Sequence, residues 1–233
     1  MACPSAPTSK ALAAAVALSA FAVPAWAAEP PVVMELFQSQ GCSSCLPADA
    51  NVNALAGKTG LLALSFAVTY WDNQGWKDTF AKPEFTARQV AYARGMRRRQ
   101  VATPEVVING HTDLMGANRS ELETAVRDAG RPHQARVVLD GDRADVSGAF
   151  KGAAPADVWL VRYDPREQQV AIQRGENGGK TVAHRNIVRE LVRLGEWSGP
   201  AAQYPLPASP DPALKTAVLV QARDGGPILG AAG

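Results

Sequence analysis

The chain has 233 residues, with 24 Lys and Arg against 22 Asp and Glu and a formal net charge of +2 at neutral pH. So even a balance gives no sign of a polyanion partner such as nucleic acid. No stretch reaches the roughly 20 uninterrupted apolar residues of a membrane span.

Residues 11–23, ALAAAVALSAFAV, form an apolar run of secretory-signal length, preceded by Lys10 and followed by Ala25-Trp26-Ala27, a small-x-small cleavage pattern. The expectation is a signal peptide over residues 1–27 and an exported protein, periplasmic or secreted, with no stable membrane insertion after processing. An uncleaved N-terminal anchor is the alternative. Processing removes Cys3 and leaves Cys42 and Cys45, an even pair compatible with an oxidising compartment.

Val32 to Phe37 is a run of β-formers with one charge, Glu35, and reads as a buried strand. It ends in the polar turn Gln38-Ser39-Gln40-Gly41. Cys42-Ser43-Ser44-Cys45 then opens a helix that Pro47, tolerable only in a first turn, starts and Gly57 ends. Unpaired N–H groups and the helix dipole favour a thiolate at such a position, and the thiolate is the reactive form of cysteine. Leu61 to Val68 is a second buried strand, which makes a β-α-β unit. Tyr70 to Asp78 is an aromatic, polar loop without period, and Pro83 to Arg99 is a helix. Val106-Val107-Ile108, Asn109-Gly110 and His111 to Met115 make a hairpin. A last helix, capped by Asn118 or Ser120, ends at Gly130. From residue 133 short β-runs alternate with Asp-Gly, Asp-Pro and Gly-Gly turns, Asn186 to Trp197 leans to helix, and residues 198–212, with five prolines, read as an extended linker.

Strand, CxxC at a helix start, and Thr103-Pro104 before a hairpin resemble the thioredoxin superfamily. The chain is more closely similar to exported thioredoxin-like proteins grouped as domain-of-unknown-function family 1223. That resemblance rests on Glu35-Leu36-Phe37, Ser39-Gln40-Gly41-Cys42-Ser43-Ser44-Cys45, Pro47-Ala48-Asp49, Tyr70-Trp71-Asp72, Gly75-Trp76-Lys77-Asp78, Thr103-Pro104 and His184 to Glu190. Relatives often carry Cys-Pro-Pro where this chain has Cys45-Leu46-Pro47. The resemblance implies an α/β fold: a thioredoxin-like domain at 30–131 (β-α-β, helix, β-hairpin, helix) and a smaller β-rich domain at 132–233. It also implies a cis proline at Pro104, lying against the cysteine pair and holding substrate backbone.

The expected function is thiol–disulfide exchange, with Cys42 the exposed attacking sulfur and Cys45 the resolving thiol. Cys42, Cys45 and Pro104 form the catalytic set, and Thr103, Trp71 and Trp76 contact substrate. Glu35 and Asp72 transfer protons; Asp78 is a further acceptor and Lys77 an aid to ionisation. Against this, the tryptophans can simply pack their loop, the aspartates can cap turns, and Glu35 can be a strand-end residue. Arg97-Arg98-Arg99 reads as a solvated helix end, and His184 to Glu190 as hydrogen bonding between the two halves. The expected partners are protein or small-molecule thiols and disulfides, with no cofactor and no metal. Two rival functions stay open: a binding module whose disulfide is inert, and copper handling by the cysteines with His111, His133 or His184.

Overall fold

A computed structural model describes residue 1, residues 29–150 and residues 152–233. The expected signal peptide lies outside the described residues. β1 (Val32–Gln38) is followed by a 3-10 turn (Ser43–Cys45), α1 (Leu46–Leu55), β2 (Leu61–Ala67) and α2 (Pro83–Gly95). β3 (Glu105–Ile108), β4 (Thr112–Leu114) and α3 (Arg119–Asp128) complete the first half. The rest is strand: β5 (Ala135–Asp140), β6 (Arg143–Gly148), β7 (Ala156–Asp164), β8 (Gln168–Ala171), β9 (Thr181–His184), β10 (Ile187–Trp197), β11 (Ala202–Pro205), β12 (Lys215–Gln221) and β13 (Ile228–Ala232).

These elements make a mixed α/β protein built on one large sheet, ordered β13-β12-β7-β10-β2-β1-β3-β4. β1 and β2 pair in parallel, as a strand–helix–strand crossover requires, and β3 and β4 add antiparallel. The second half continues the same sheet, because β10 joins β2 through Ile187 opposite Ser65. Residues on either side of the 131/132 boundary expected from sequence therefore share one sheet. β5, β6 and β11 form a second sheet, and β8 with β9 a small third one.

Strand alternation assigns the two faces. Val33, Phe37, Leu64 and Phe66 pack with Phe85 and Tyr92 of α2. Met34, Leu36 and Ala63 pack with Ala48, Val52 and Leu55 of α1 and with Leu122 of α3. The hairpin turn forms where Asn-Gly predicts it, with Asn109 at φ 47° and Gly110 at φ 72°.

Three expectations need correction. Residues 187–197 are a strand, not a helix: β10 pairs with β7 along its length, with register shifts between Val188 and Glu190 and between Arg193 and Gly195. Those two irregularities break the alternation that a regular strand would have shown. The proline-rich stretch 198–212 is not all linker, since Ala202–Pro205 pairs with β6. The helix expected to run to Arg99 ends at Gly95, with Arg97 at φ 57°, and Arg98 turns back to Glu105 and Asp113.

Candidate functional site

The site begins with the turn leaving β1. Asp78 Oδ2 accepts from Gln40 N at 2.7 Å and its Oδ1 accepts from Phe80 N at 2.8 Å, which pins this turn to the aromatic loop. Ser39 Oγ accepts from Gly41 N and Ser39 O accepts from Cys42 N. Cys42 is then delivered at the start of the 3-10 turn that runs into α1, and it is joined to Cys45 by a disulfide.

A chain of hydrogen bonds ends on the Cys42 sulfur. Trp71 Nε1 donates to Thr103 Oγ1 at 2.8 Å, and Thr103 Oγ1 donates to Cys42 Sγ at 3.3 Å. Ser44 Oγ lies 3.3 Å from the same sulfur. Trp76 Nε1 donates to Gln40 Oε1 at 2.9 Å, so the second tryptophan braces the turn rather than the sulfur. The peptide between Thr103 and Pro104 is cis, and Pro104 is buried. A groove of about 500 Å³ runs from Pro104 past Arg98, Glu105 and Asp113 to the exposed Met115. A cavity of about 720 Å³ opens elsewhere, around Lys58, Leu61, Arg131 and Tyr163, and contains none of the residues expected to react, bind substrate or transfer protons.

Both sulfurs are fully buried, at 0 % exposure, whereas Ser43 and Ser44 are exposed. The expectation of an exposed Cys42 is thus corrected for the disulfide form. The second half of the chain reaches the turn on either side of Cys42. In the turn between β8 and β9, Glu176 Oε2 accepts from Ser43 N at 3.0 Å, and the buried Asn177 donates from Nδ2 to Gln40 O at 3.0 Å.

The proton-transfer residues differ from expectation. Glu35 shares the face of Val33 and Phe37 and is locked to Arg88 of α2, Nε to Oε1 at 2.7 Å and a second guanidinium nitrogen to Oε2 at 3.1 Å. Tyr92 Oη also donates to it. With its acceptors occupied on the α2 face, Glu35 is neither a proton shuttle to Cys45 nor a solvent-facing residue. Asp72 caps the loop by accepting from Asp78 N at 3.1 Å.

Asp49 is a buried carboxyl of α1. It lies four positions after Cys45 on the same helix face. Its carboxyl is buried, and desolvation, with Asp78 nearby, holds its pKa well above the ordinary value. Desolvation likewise raises Asp78 to about 6. His184 Nδ1 is 3.9 Å from Asp49 Oδ1, and burial lowers its pKa to about 4, so the ring is neutral at pH 7. Around this pair, Gln38, Ser65, Asp49 and His184 all carry buried polar atoms without a protein partner. Gln38 and Ser65 share the α1 face of β1 and β2, so unpaired polar groups are buried on the α1 side of the sheet, of the kind that ordered water satisfies. Sequence reasoning quoted Asp49 only within a motif; its i+4 spacing from Cys45 was the available signal. Glu176 and Asn177, more than 130 positions from the groups they bond, had none.

Of the histidines, His111 and His133 are exposed and contact Thr112 and the Arg131 carbonyl. Among the described residues no group of three or more His, Cys, Asp or Glu side chains is placed to hold a metal ion. His184 to Glu190 docks the halves together: Asn186 Nδ2 donates to Ala63 O, Ser65 N donates to Asn186 O, and Arg185 N donates to Asn53 Oδ1.

Fold and site together define a mixed α/β protein whose cysteine pair stands at a helix start beside a cis-proline loop. The family described as "Protein of unknown function (DUF1223)" matches residues 33–221, and the chain belongs to it. Among solved structures it is similar to protein AGR_C_4864 from Agrobacterium tumefaciens, at 32 % identity and a TM-score of 0.70, over 88 % of this chain and 95 % of that one. It shares its fold with HBP35 of Porphyromonas gingivalis, at 13 % identity and a TM-score of 0.57, over 88 % of this chain and 74 % of that one. No curated protein matches the chain.

Proposed function

We propose that this protein is an exported, thioredoxin-like thiol–disulfide exchange protein that works through Cys42 and Cys45. The observation that carries the reading is the relay from Trp71 through Thr103 to Cys42 Sγ. The Thr103 oxygen accepts from the indole and its proton is within hydrogen-bond reach of the sulfur. A hydroxyl aimed at sulfur favours the thiolate over the thiol, and Ser44 adds a second one within reach.

In the reducing direction, the Cys42 thiolate attacks a substrate disulfide, forming a mixed disulfide and releasing the first substrate thiolate. Cys45 then attacks Cys42 Sγ, the ring disulfide forms, and the second substrate thiolate leaves. The substrate gains the two electrons the cysteine pair loses, and the reverse sequence oxidises a substrate dithiol. Asp49 is the acceptor for the Cys45 proton, reached through the buried polar groups of Gln38, Ser65 and His184. The groove beside Pro104 gives a substrate segment a place to lie. The partners are protein or small-molecule thiols and disulfides, and the leader at residues 1–27 gives the periplasm or exterior as the place of action.

A second reading, a binding module with an inert disulfide, is favoured by the complete burial of both sulfurs. Equilibration in glutathione buffers of graded composition, followed by acid quench and thiol alkylation, separates the two. Exchange predicts a reversible titration of the pair, abolished by Cys42→Ser. A pair that stays oxidised under strong reductant while the protein remains folded would sink exchange in favour of the binding module.

A further inference from the structure

The chain between β8 and β9 is a closed loop with its own base. Ile172 N donates to Lys180 O at 2.9 Å and Gly179 N to Ile172 O at 2.8 Å; at the tip, Gly178 N donates to Gly175 O at 3.0 Å. Gly175 and Gly179 sit at φ 78° and 81°, a conformation that favours glycine. β8 and β9 pair only with each other, so the loop can swing without breaking a bond of the large sheet.

The tip reaches the cysteine turn through few contacts. Glu176 holds Ser43 N, Asn177 holds Gln40 O, and Gly175 lies against Gly75 so closely that a Cβ on Gly75 would come within 3.3 Å of the Gly175 Cα. The two hydrogen bonds are to main-chain groups on either side of Cys42, one donor and one acceptor. Such a pair is what an extended polypeptide bonds with its own backbone. Nothing in it selects the side chains of this loop over those of another chain.

We propose that the loop Gly175–Asn177 is a built-in occupant of the substrate position. It covers Cys42 in the resting protein, and the partner is an extended polypeptide segment bearing the thiol or disulfide. That segment displaces the loop by taking over Ser43 N and Gln40 O. This rests on the exchange reading. The loop is held by an exposed carboxylate, one buried amide and the packing of Gly175 on the turn at Gly75 and Trp76, and the incoming backbone replaces its two hydrogen bonds.

The test begins with the chemically reduced full chain and the rate of Cys42 alkylation by iodoacetamide. Losing one hydrogen bond predicts that Glu176→Ala reacts about three- to tenfold faster than the unmodified sequence. Glu176→Gln, which keeps an acceptor, should stay within about twofold on the same scale. Equal rates for all three folded proteins would overturn the gate. The second measurement uses Cys45→Ser protein loaded at Cys42 with an Ala/Thr-based peptide carrying one cysteine. Loading proceeds from the peptide's 2-nitro-5-thiobenzoate disulfide, with the aromatic thiolate leaving. Nuclear magnetic resonance should then show the Asn177 side-chain amide, released from Gln40 O, exchanging faster with water while the Ser43 N–H stays protected, now bonded to peptide. An Asn177 amide that keeps its protection in the loaded protein would overturn displacement. If instead the cysteine pair never titrates with glutathione in either Glu176 variant, exchange fails while the alkylation rates still read the gate.

Discussion

Thr103 stands between an indole donor and a sulfur acceptor, with the Tyr70 hydroxyl as a further partner. Thr103→Val keeps the shape, removes the hydroxyl, and leaves Trp71 Nε1 without its acceptor. Alkylation of Cys42 in the reduced protein at neutral pH should slow by about tenfold, with Thr103→Ser restoring most of the rate. Unchanged rates in Thr103→Val would mean that the relay does not act on the thiolate. Glu35 shows the limit of reading single residues. A carboxylate inside an apolar strand was visible in sequence, but which face it takes depends on Arg88, some fifty positions away, where the guanidinium also reaches Gln221 Oε1 at 3.1 Å. Arg88→Met strands that carboxylate in the core. A loss of about 3–5 kcal/mol in urea unfolding is expected, far beyond a surface charge change. A loss under about 1 kcal/mol would mean that the Arg88–Glu35 pair contributes no more than an exposed ion pair does.

The first-half elements were legible because each carries its own local signal. The β-run and Pro47 bracket the cysteine turn, and Asn109-Gly110 needs left-handed backbone that few other dipeptides supply. Gly110 is further constrained, since a Cβ there would come within 2.7 Å of Gly226 O. Gly110→Ala should therefore cost more than about 1 kcal/mol, by strained φ and by contact together, and a melting curve matching the parent would refute this. β10 lacked any such signal. Its shifts at Glu190 and Gly195 interrupt the period-two pattern, and Ile187, Leu191 and Leu194 fall by coincidence at helical spacing. Only pairing with β7, a tertiary fact, makes the segment a strand.

At the scale of the molecule, the second half is both sheet and cover. It enters the large sheet at Ile187 opposite Ser65, within the His184 to Glu190 segment that the sequence marks, and sends the β8–β9 loop onto the cysteine turn, where the Glu176 and Asn177 side chains bond main-chain groups and leave no sequence signature. The same junction buries His184 against Asp49, so stability couples the halves to pH. The folded protein resists protonating His184 until about pH 4, whereas the unfolded chain takes that proton near 6.5. Stability from this group is whole above 6.5, falls as pH drops toward 4, and the loss is about 3 kcal/mol. Asp78 acts with the opposite sign. Folding raises its pKa from 3.8 to about 6, so its contribution is present below 3.8 and is lost as pH rises through 6. That change is also about 3 kcal/mol, and Asp49 works in the same direction. Two carboxyls outweigh the one imidazole, so the stability of the unmodified protein should rise gently as pH falls from 6.5 to 4. His184→Leu removes the opposing group, so its melting temperature should rise more steeply across that window, whatever its absolute stability. Parallel profiles for the two proteins would show that the buried imidazole does not set the acid response, and that the junction between the halves holds together without it.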